Sequence, residues 1–317
     1  MAIEGSESNR KRRPTSTSAF GVGRRESHDA AGFYTRFTSP KLSDDEVIGT
    51  TELDRIIAGD ARDMSAVADN CVALVVTSPP YFAGKEYEQA LGIGEVPGSY
   101  FEYLDLIRDV FAECYRVLEP GGRLCVNVAN LGRKPYRSLS ADVIRILQDE
   151  LGFLLRGEVI WMKASGASGS CAWGSYRSAS NPVLRDVTER IIVACKGRFD
   201  RALSERRKRR RRDAGLPFED DIEADEFTQA TLDVWSIRPE SATRVGHPAP
   251  FPVELPERCI RLYTYKNDLV LDPFMGSGTT AVAALRTNRH YLGYELEPRY
   301  VEIALKRIKA EEAARRD

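Results

Sequence analysis

Two short apolar runs, each broken off by a motif that a buried strand could not continue, constrain this chain more than anything else in it. Ala73-Leu74-Val75-Val76 runs into Thr77-Ser78-Pro79-Pro80-Tyr81, and Leu269-Val270-Leu271 runs into Asp272-Pro273-Phe274-Met275-Gly276-Ser277-Gly278-Thr279-Thr280. Apolar runs of this length, bounded by proline and glycine, read as strands buried on both faces. Such strands belong to a mainly parallel sheet covered by helices, and in an open sheet of that kind ligands bind outside the carboxyl ends of the strands. Both motifs are therefore expected on one edge, with the proline motif coming first in the chain.

The rest of the pattern agrees. Arg55 to Asp60, Val72 to Thr77, Arg123 to Ala129, Phe153 to Met162 and Glu189 to Cys195 read as strands, and Tyr100 to Leu118 and Ser140 to Leu151 as helices. Phe101, Leu104, Ile107, Phe111, Tyr115 and Leu118 recur at helical spacing, and Glu119-Pro120-Gly121-Gly122 is expected to stop that helix. A helix near Pro252 to Tyr263 comes before the second motif. Beyond it lie a helix from Ser277 to Leu285, a strand from His290 to Leu296 and a last amphipathic helix from Pro298. Alternating strands and helices predict an α/β domain with helices on both faces of the sheet. Residues 1–45, rich in Ser, Thr and Arg, are expected to be a disordered basic arm, and residues 46–317 one catalytic domain. Past Gly197 the pattern fails: a basic run, Arg206 to Arg212, is followed by an acidic stretch, and segment 197–245 reads as a polar insertion rather than core.

A formal charge of −1 announces no global affinity for nucleic acid, so any such affinity must be local. No apolar stretch approaches the roughly 18 residues of a membrane span, and the polar N-terminus lacks the apolar core of a secretion signal, so a cytoplasmic protein is expected. The six cysteines form no C-x-x-C pair and several lie in apolar runs, which favours reduced core thiols. His28, His247 and His290 show no ligand spacing, so no metal is expected.

The glycine motif is a strand–turn–helix junction. Gly276 and Gly278 permit a positive φ and leave no Cβ in the way of a ligand, and a helix starting near Thr279 offers free N–H groups to a carboxylate. Glu295 closes the next strand, where an acidic side chain holds a ribose diol in dinucleotide-type folds. Ala281 stands where a third glycine would cradle a pyrophosphate, so S-adenosylmethionine fits better than a dinucleotide. Asp60, at the end of another strand, can accept a hydrogen bond from an adenine amino group.

The proline motif suits an exocyclic amine. To be methylated, such an amine must be held by acceptors with its lone pair toward the incoming methyl group. Ser78 Oγ and the Pro79 carbonyl are acceptors, and Pro79 and Pro80 have fixed φ and no competing N–H. Tyr81 can lie flat on a base taken out of the duplex, and Phe82 can extend that wall. The acceptors also favour the positive charge that develops on nitrogen.

On these residues the chain resembles the DNA amino-methyltransferases of the N4-cytosine/N6-adenine type, in the β arrangement where the catalytic motif precedes the cofactor motif. The resemblance spans about Arg55 to Ile308. It includes Ile57-Ala58-Gly59-Asp60, His247-Pro248-Ala249-Pro250-Phe251-Pro252 and Tyr291-Leu292-Gly293-Tyr294-Glu295 beside the two motifs. It implies a circularly permuted Rossmann-like fold with a seven-stranded, mostly parallel sheet. It also implies that His247 and Ala249 contact the methionine part of S-adenosylmethionine. Asp272, Pro273, Phe274, Gly276, Ser277, Gly278, Thr279 and Thr280 join Asp60 and Glu295 as cofactor residues. Ser78 rather than Asp in the proline motif points, within that family, to cytosine N4 over adenine N6. Double-stranded DNA is the implied substrate, in a restriction–modification, phage or orphan modification system; a cognate restriction endonuclease is a further partner in the first case.

Two segments could meet DNA. Residues 164–182 are Gly/Ser-rich and carry Trp173, Tyr176 and Arg177, a mix suited to a groove. In the insertion, Arg206, Arg207, Lys208, Arg209 and Arg210 either bind phosphates or pair with their acidic neighbours. Rival readings are an adenine-N6 enzyme of the same fold, a catalytically inactive DNA-binding regulator, and a methyltransferase acting on RNA or protein.

Overall fold

The computed structural model describes residues 43, 45–80, 99–130, 136–163, 174–201, 204–240 and 251–315. Tyr81, Phe82, Trp173, His247, Ala249 and the expected arm up to residue 42 lie outside the described residues.

Eight strands form one sheet: β1 (Arg55–Ala58), β2 (Val72–Thr77), β3 (Leu118–Val128), β4 (Leu154–Met162), β5 (Thr188–Cys195), β6 (Val234–Ser236), β7 (Leu269–Asp272) and β8 (His290–Glu295). Their order is β1-β8-β7-β2-β3-β5-β4-β6. All pairings are parallel except those of β5, which runs antiparallel to both β3 and β4. The last two strands of the chain are thus slotted between its first two, so the carboxyl ends of β1, β8, β7 and β2 stand side by side. This is the permuted arrangement expected.

The strands alternate between two apolar layers, as a period of two requires. Val75, Leu124, Val126 and Leu271 face helix α1 (Tyr100–Val117) and helix α2 (Leu139–Arg145), which continues as one π-helical turn to Glu150. Leu74, Val76, Cys125 and Val270 face the opposite layer. It contains α5 (Glu254–Tyr263), α6 (Thr279–Arg286) and Ile308 of α7 (Pro298–Ala314). Five described cysteines are free and buried.

Three expectations are corrected. The sheet has an eighth strand, because Val-Trp-Ser at 234–236 alternates exposed, buried, exposed and lays Trp235 into the core alongside β4, making β6 the edge strand. Three residues are too few for that period to register in sequence. Glu119-Pro120-Gly121-Gly122 does not lie between helix and strand but belongs to β3, with a register irregularity opposite β2. The insertion is not all loop: α3 (Glu205–Asp213) and α4 (Ala224–Ala230) flank the acidic stretch. Ser204 caps α3 through Arg207 N–H, and Arg211 is buried, bonding Glu119 at 2.9 Å beside an Arg201–Asp268 pair at 2.7 Å. Glu119 is the second residue of β3 and Asp268 precedes β7, so the basic helix is fastened beneath the amino ends of these strands.

Candidate active site

On the carboxyl edge the loop after β7 is seated on β8. Met275 N–H donates to the Tyr294 carbonyl at 2.9 Å, and Gly276 N–H donates to Glu295 Oε2 at 2.8 Å. Glu297 N–H holds the other carboxylate oxygen at 2.9 Å. Burial raises the Glu295 carboxyl above its ordinary range against the pull of these N–H donors. A carboxylate has about four acceptor positions, so these N–H donors leave capacity for a diol. On the neighbouring strand Gly59 N–H donates to the Glu295 carbonyl at 3.0 Å, which brings Asp60 alongside. Burial of Asp60 works against its charge, but Arg62 overrides this and lowers its pKa. Arg62 donates through its backbone N–H and through Nε, each at 2.8 Å.

Gly276 and Gly278 both have positive φ, 51° and 78°. At Gly278 the close approach comes from the protein itself: a Cβ there would lie 2.8 Å from Ala304 Cβ on α7. The glycine is required for α7 to pack, whatever binds in front of it. The N-terminus of α6 has no side-chain cap, so its first N–H groups are available to an anion.

Several side chains of the motif are occupied within the protein. The Asp272 carboxylate, 1% exposed, accepts the Thr77 hydroxyl at 2.7 Å, the Phe274 N–H at 3.0 Å and, on its other oxygen, the Thr280 hydroxyl at 2.7 Å. Arg307 of α7 donates to the Ser277 carbonyl and hydroxyl at 2.8 and 2.9 Å, and to the Thr279 hydroxyl at 3.1 Å. Asp272, Ser277, Thr279 and Thr280 therefore build the loop, and Pro273 is buried within it.

Beside this loop, β2 ends in Thr77-Ser78. The Ser78 hydroxyl donates to the Asn127 carbonyl at the end of β3, 3.2 Å away. Pro79 is buried, and the Pro80 carbonyl accepts the Tyr103 hydroxyl at 2.7 Å, which ties the proline turn to α1. Behind Ser78 a polar chain crosses three strands: Asn127 Nδ2 donates to Glu189 Oε2 at 2.6 Å, and Lys163 Nζ donates to Glu189 Oε1 at 2.9 Å. Tyr103, Asn127, Lys163, Glu189 and Arg307 escaped the sequence reading. Asn127 between two valines was the available signal, since a polar residue inside a buried strand demands a partner.

Of the expected DNA contacts, Tyr176 and Arg177 lie on the connection from β4 to β5. Because Met162 pairs with Thr188 and Val128 with Arg190, that connection leaves from the same edge as Ser78. The basic run does not share that edge. Arg206, Arg209 and Arg210 lie on α3 beneath the opposite ends of the strands, Arg207 bonds Asp200 at 2.7 Å, and Lys208 lies 3.6 Å from Glu205. Among the described residues no cluster of His, Cys, Asp or Glu could hold a metal, and no helix is long and apolar enough to cross a membrane.

The family of DNA methylases matches residues 72–306. Type II methyltransferase M.MjaI of Methanocaldococcus jannaschii is 29% identical over 283 residues, covering 79% of this chain and 89% of its own. DNA adenine methyltransferase YhdJ of Escherichia coli is 27% identical, covering 81% and 83%. Among solved structures, the DNA modification methylase TTHA0409 of Thermus thermophilus, in complex with S-adenosyl-L-methionine, is similar with a TM-score of 0.59. It is 29% identical and covers 81% of this chain and 95% of its own. The cytosine-N4-specific PvuII DNA methyltransferase shares the fold with a TM-score of 0.60 at 23% identity, covering 86% and 89%.

Proposed function

The chain belongs to the DNA methylase family, and from that premise we propose that it transfers a methyl group from S-adenosylmethionine to the exocyclic N4 of cytosine in duplex DNA. The coarser activity, S-adenosylmethionine-dependent DNA methylation, is that of the family. The cytosine assignment rests on Ser78 and its setting.

The residues present fit the cofactor. Glu295, held by backbone N–H groups on both oxygens, has acceptor capacity left for the ribose diol, and the uncapped start of α6 can meet the carboxylate. Asp60 is assigned to the adenine amino group. When bound, S-adenosylmethionine supplies the electrophilic methyl group.

The observation that carries the base assignment is a neutral Ser78, not a carboxylate, at the end of β2, where its hydroxyl donates to the Asn127 carbonyl. That bond anchors the hydroxyl between β2 and β3, and we assign Ser78 Oγ as an acceptor for the N–H donors of the amine. With the Pro80 carbonyl taken by Tyr103, Pro79 is assigned the second acceptor. Two neutral acceptors turn the amine's lone pair away from themselves, and both are more favourable once the nitrogen carries positive charge. Tyr81 is assigned the face of the flipped base, and Tyr176 and Arg177 the duplex beside it. A place in a restriction–modification system follows the type II relatives and is part of the same proposal.

Digesting DNA from cells expressing the chain to nucleosides, with mass spectrometry, tests the reading. 4-Methylcytosine is expected. 6-Methyladenine alone would overturn the base assignment and keep the mechanism, whereas no methylated nucleoside would favour a regulatory role.

A further inference from the structure

Segment 174–182 has the Gly/Ser-rich composition of a flexible linker, yet it is closed on itself. Gly174 bridges Pro182, and Ser175 N–H donates to the Asn181 carbonyl at 2.8 Å. Asn181 N–H donates back to Ser175 Oγ at 2.8 Å, and Ser175 Oγ donates to the Ser178 carbonyl at 2.7 Å. The hydroxyls of Ser178 and Ser180 are 2.9 Å apart. Gly174 has no tolerance for a side chain: a Cβ would lie 2.1 Å from the Asn181 carbonyl oxygen. The serines therefore act as internal cross-ties of a rigid knuckle.

What the knuckle presents is unusual for an exposed segment. Arg177, near its tip, has φ 55°, a left-handed backbone uncommon for a long side chain. Tyr176 is 71% exposed and Leu184, just past the pinch, 95% exposed, with Val183 exposed between the pinch and Leu184. Single exposed apolar residues need no explanation, but three on or beside one cross-tied loop, next to a cation on the edge that holds Ser78, do. Leu184 is also close in sequence to the root of β5: Lys163 N–H donates to the Val187 carbonyl at 3.0 Å, extending the β4–β5 ladder toward it. Glu189, two residues beyond, is bonded to the Asn127 that receives the Ser78 hydroxyl.

We propose that this segment is the duplex-opening element of the enzyme, with Leu184 entering the base stack and occupying the gap left when the target base leaves it, while Arg177 meets the adjacent phosphates. The inference rests on the proposed DNA methyltransferase reading. A base-flipping enzyme must meet the cost of unstacking the target base, which is least where that base is mismatched, and apolar wedges between base steps are a means of holding a stack open. Leu184 sits between two anchored points, the Gly174–Pro182 bridge and the Lys163–Val187 bond, so its backbone has a short span in which to move on insertion.

The test uses the full chain and duplex oligonucleotides carrying the site modified in cells, either matched or with the target base opposite an abasic position. Leu184→Ala is expected to lower the single-turnover methylation rate on the matched duplex tenfold or more and to leave the abasic-partner duplex within about twofold of wild type. Leu184→Phe should restore most of the matched rate. Equal rates for Leu184→Ala and wild type on both duplexes, or equal losses on both, would overturn the proposal. Wild-type protein that methylates neither duplex would count against the methyltransferase reading itself, which separates the two failures. As Leu184 is on the surface, thermal unfolding of the variant should match wild type.

Discussion

The Thr77 hydroxyl donates to Asp272 Oδ1 across 2.7 Å inside the core, joining the last residue of the strand that carries the proline motif to the last residue of the strand that carries the glycine motif. The two motifs are therefore held at a set separation by a buried bond between neighbouring parallel strands. Transfer of a one-carbon group demands such registry, because a misplacement of about 1 Å can cost on the order of 10²-fold in rate.

Burial drives the Asp272 carboxyl up to about 6 from an ordinary 3.8, against the pull of Thr77, Thr280 and the Phe274 N–H. A raised folded-state value means that the folded protein binds this proton more tightly. The stabilisation is complete below about pH 4 and lost as pH rises through about 6, amounting to about 3 kcal/mol. Asp272→Asn should therefore gain on wild type by about that much between pH 4 and pH 7. Denaturant unfolding at the two pH values measures the difference, and a pH-independent difference would contradict it.

Ser78→Ala removes an acceptor used as charge develops on the amine. Turnover should fall ~10²-fold or more, while calorimetric binding of S-adenosylmethionine stays as in wild type. Loss of cofactor affinity in this variant would assign Ser78 to the wrong half of the site.

Glu295→Gln keeps the shape and removes the charge of the group assigned to the ribose. Hydrogen bonds to charged groups contribute about 1.5–3 kcal/mol, so cofactor affinity should weaken roughly tenfold to a hundredfold. An unchanged dissociation constant would remove Glu295 from the cofactor site.

Gly278→Ala should destabilise the fold, since it adds a left-handed penalty of about 1–2 kcal/mol to a contact 2.8 Å from Ala304 Cβ. Ala304→Gly in the same chain should recover the contact part only. If Gly278→Ala melts like wild type, the packing account of this glycine is wrong.

The basic helix divides into a structural and a solvated part. Arg211→Gln breaks a buried ion pair and should cost about 3–5 kcal/mol of stability. Replacing Arg206, Arg209 and Arg210 together with Gln should change neither stability nor the slope of log K for DNA against log salt, because they sit on the edge away from Ser78. Arg177→Gln should reduce that slope by ~0.9. A reduced slope in the triple variant would return the run to the DNA interface.

The sequence alone determined most of the sheet. Val72 to Thr77 and Leu269 to Leu271 are apolar, brief and ended by residues that cannot continue a strand, so local chemistry suffices to locate them. The two motifs were legible for the same reason, and their order, proline first and glycine last, carried the family resemblance that implied a permuted sheet. Only the tertiary structure decided which side chains of those motifs are free to act. Asp272 and Thr280 look like ligand residues in sequence and are used up on Thr77 and each other, while Gly278 is small for Ala304. The run at 206–212 reads as uniform charge, yet burial of Arg211 between Glu119 and Asp268 fixes where all of it lies. In each case the deciding partner is distant in the chain, and a side chain's hydrogen-bonding capacity is spent on whatever folding brings within about 3 Å, which no local pattern of residues encodes.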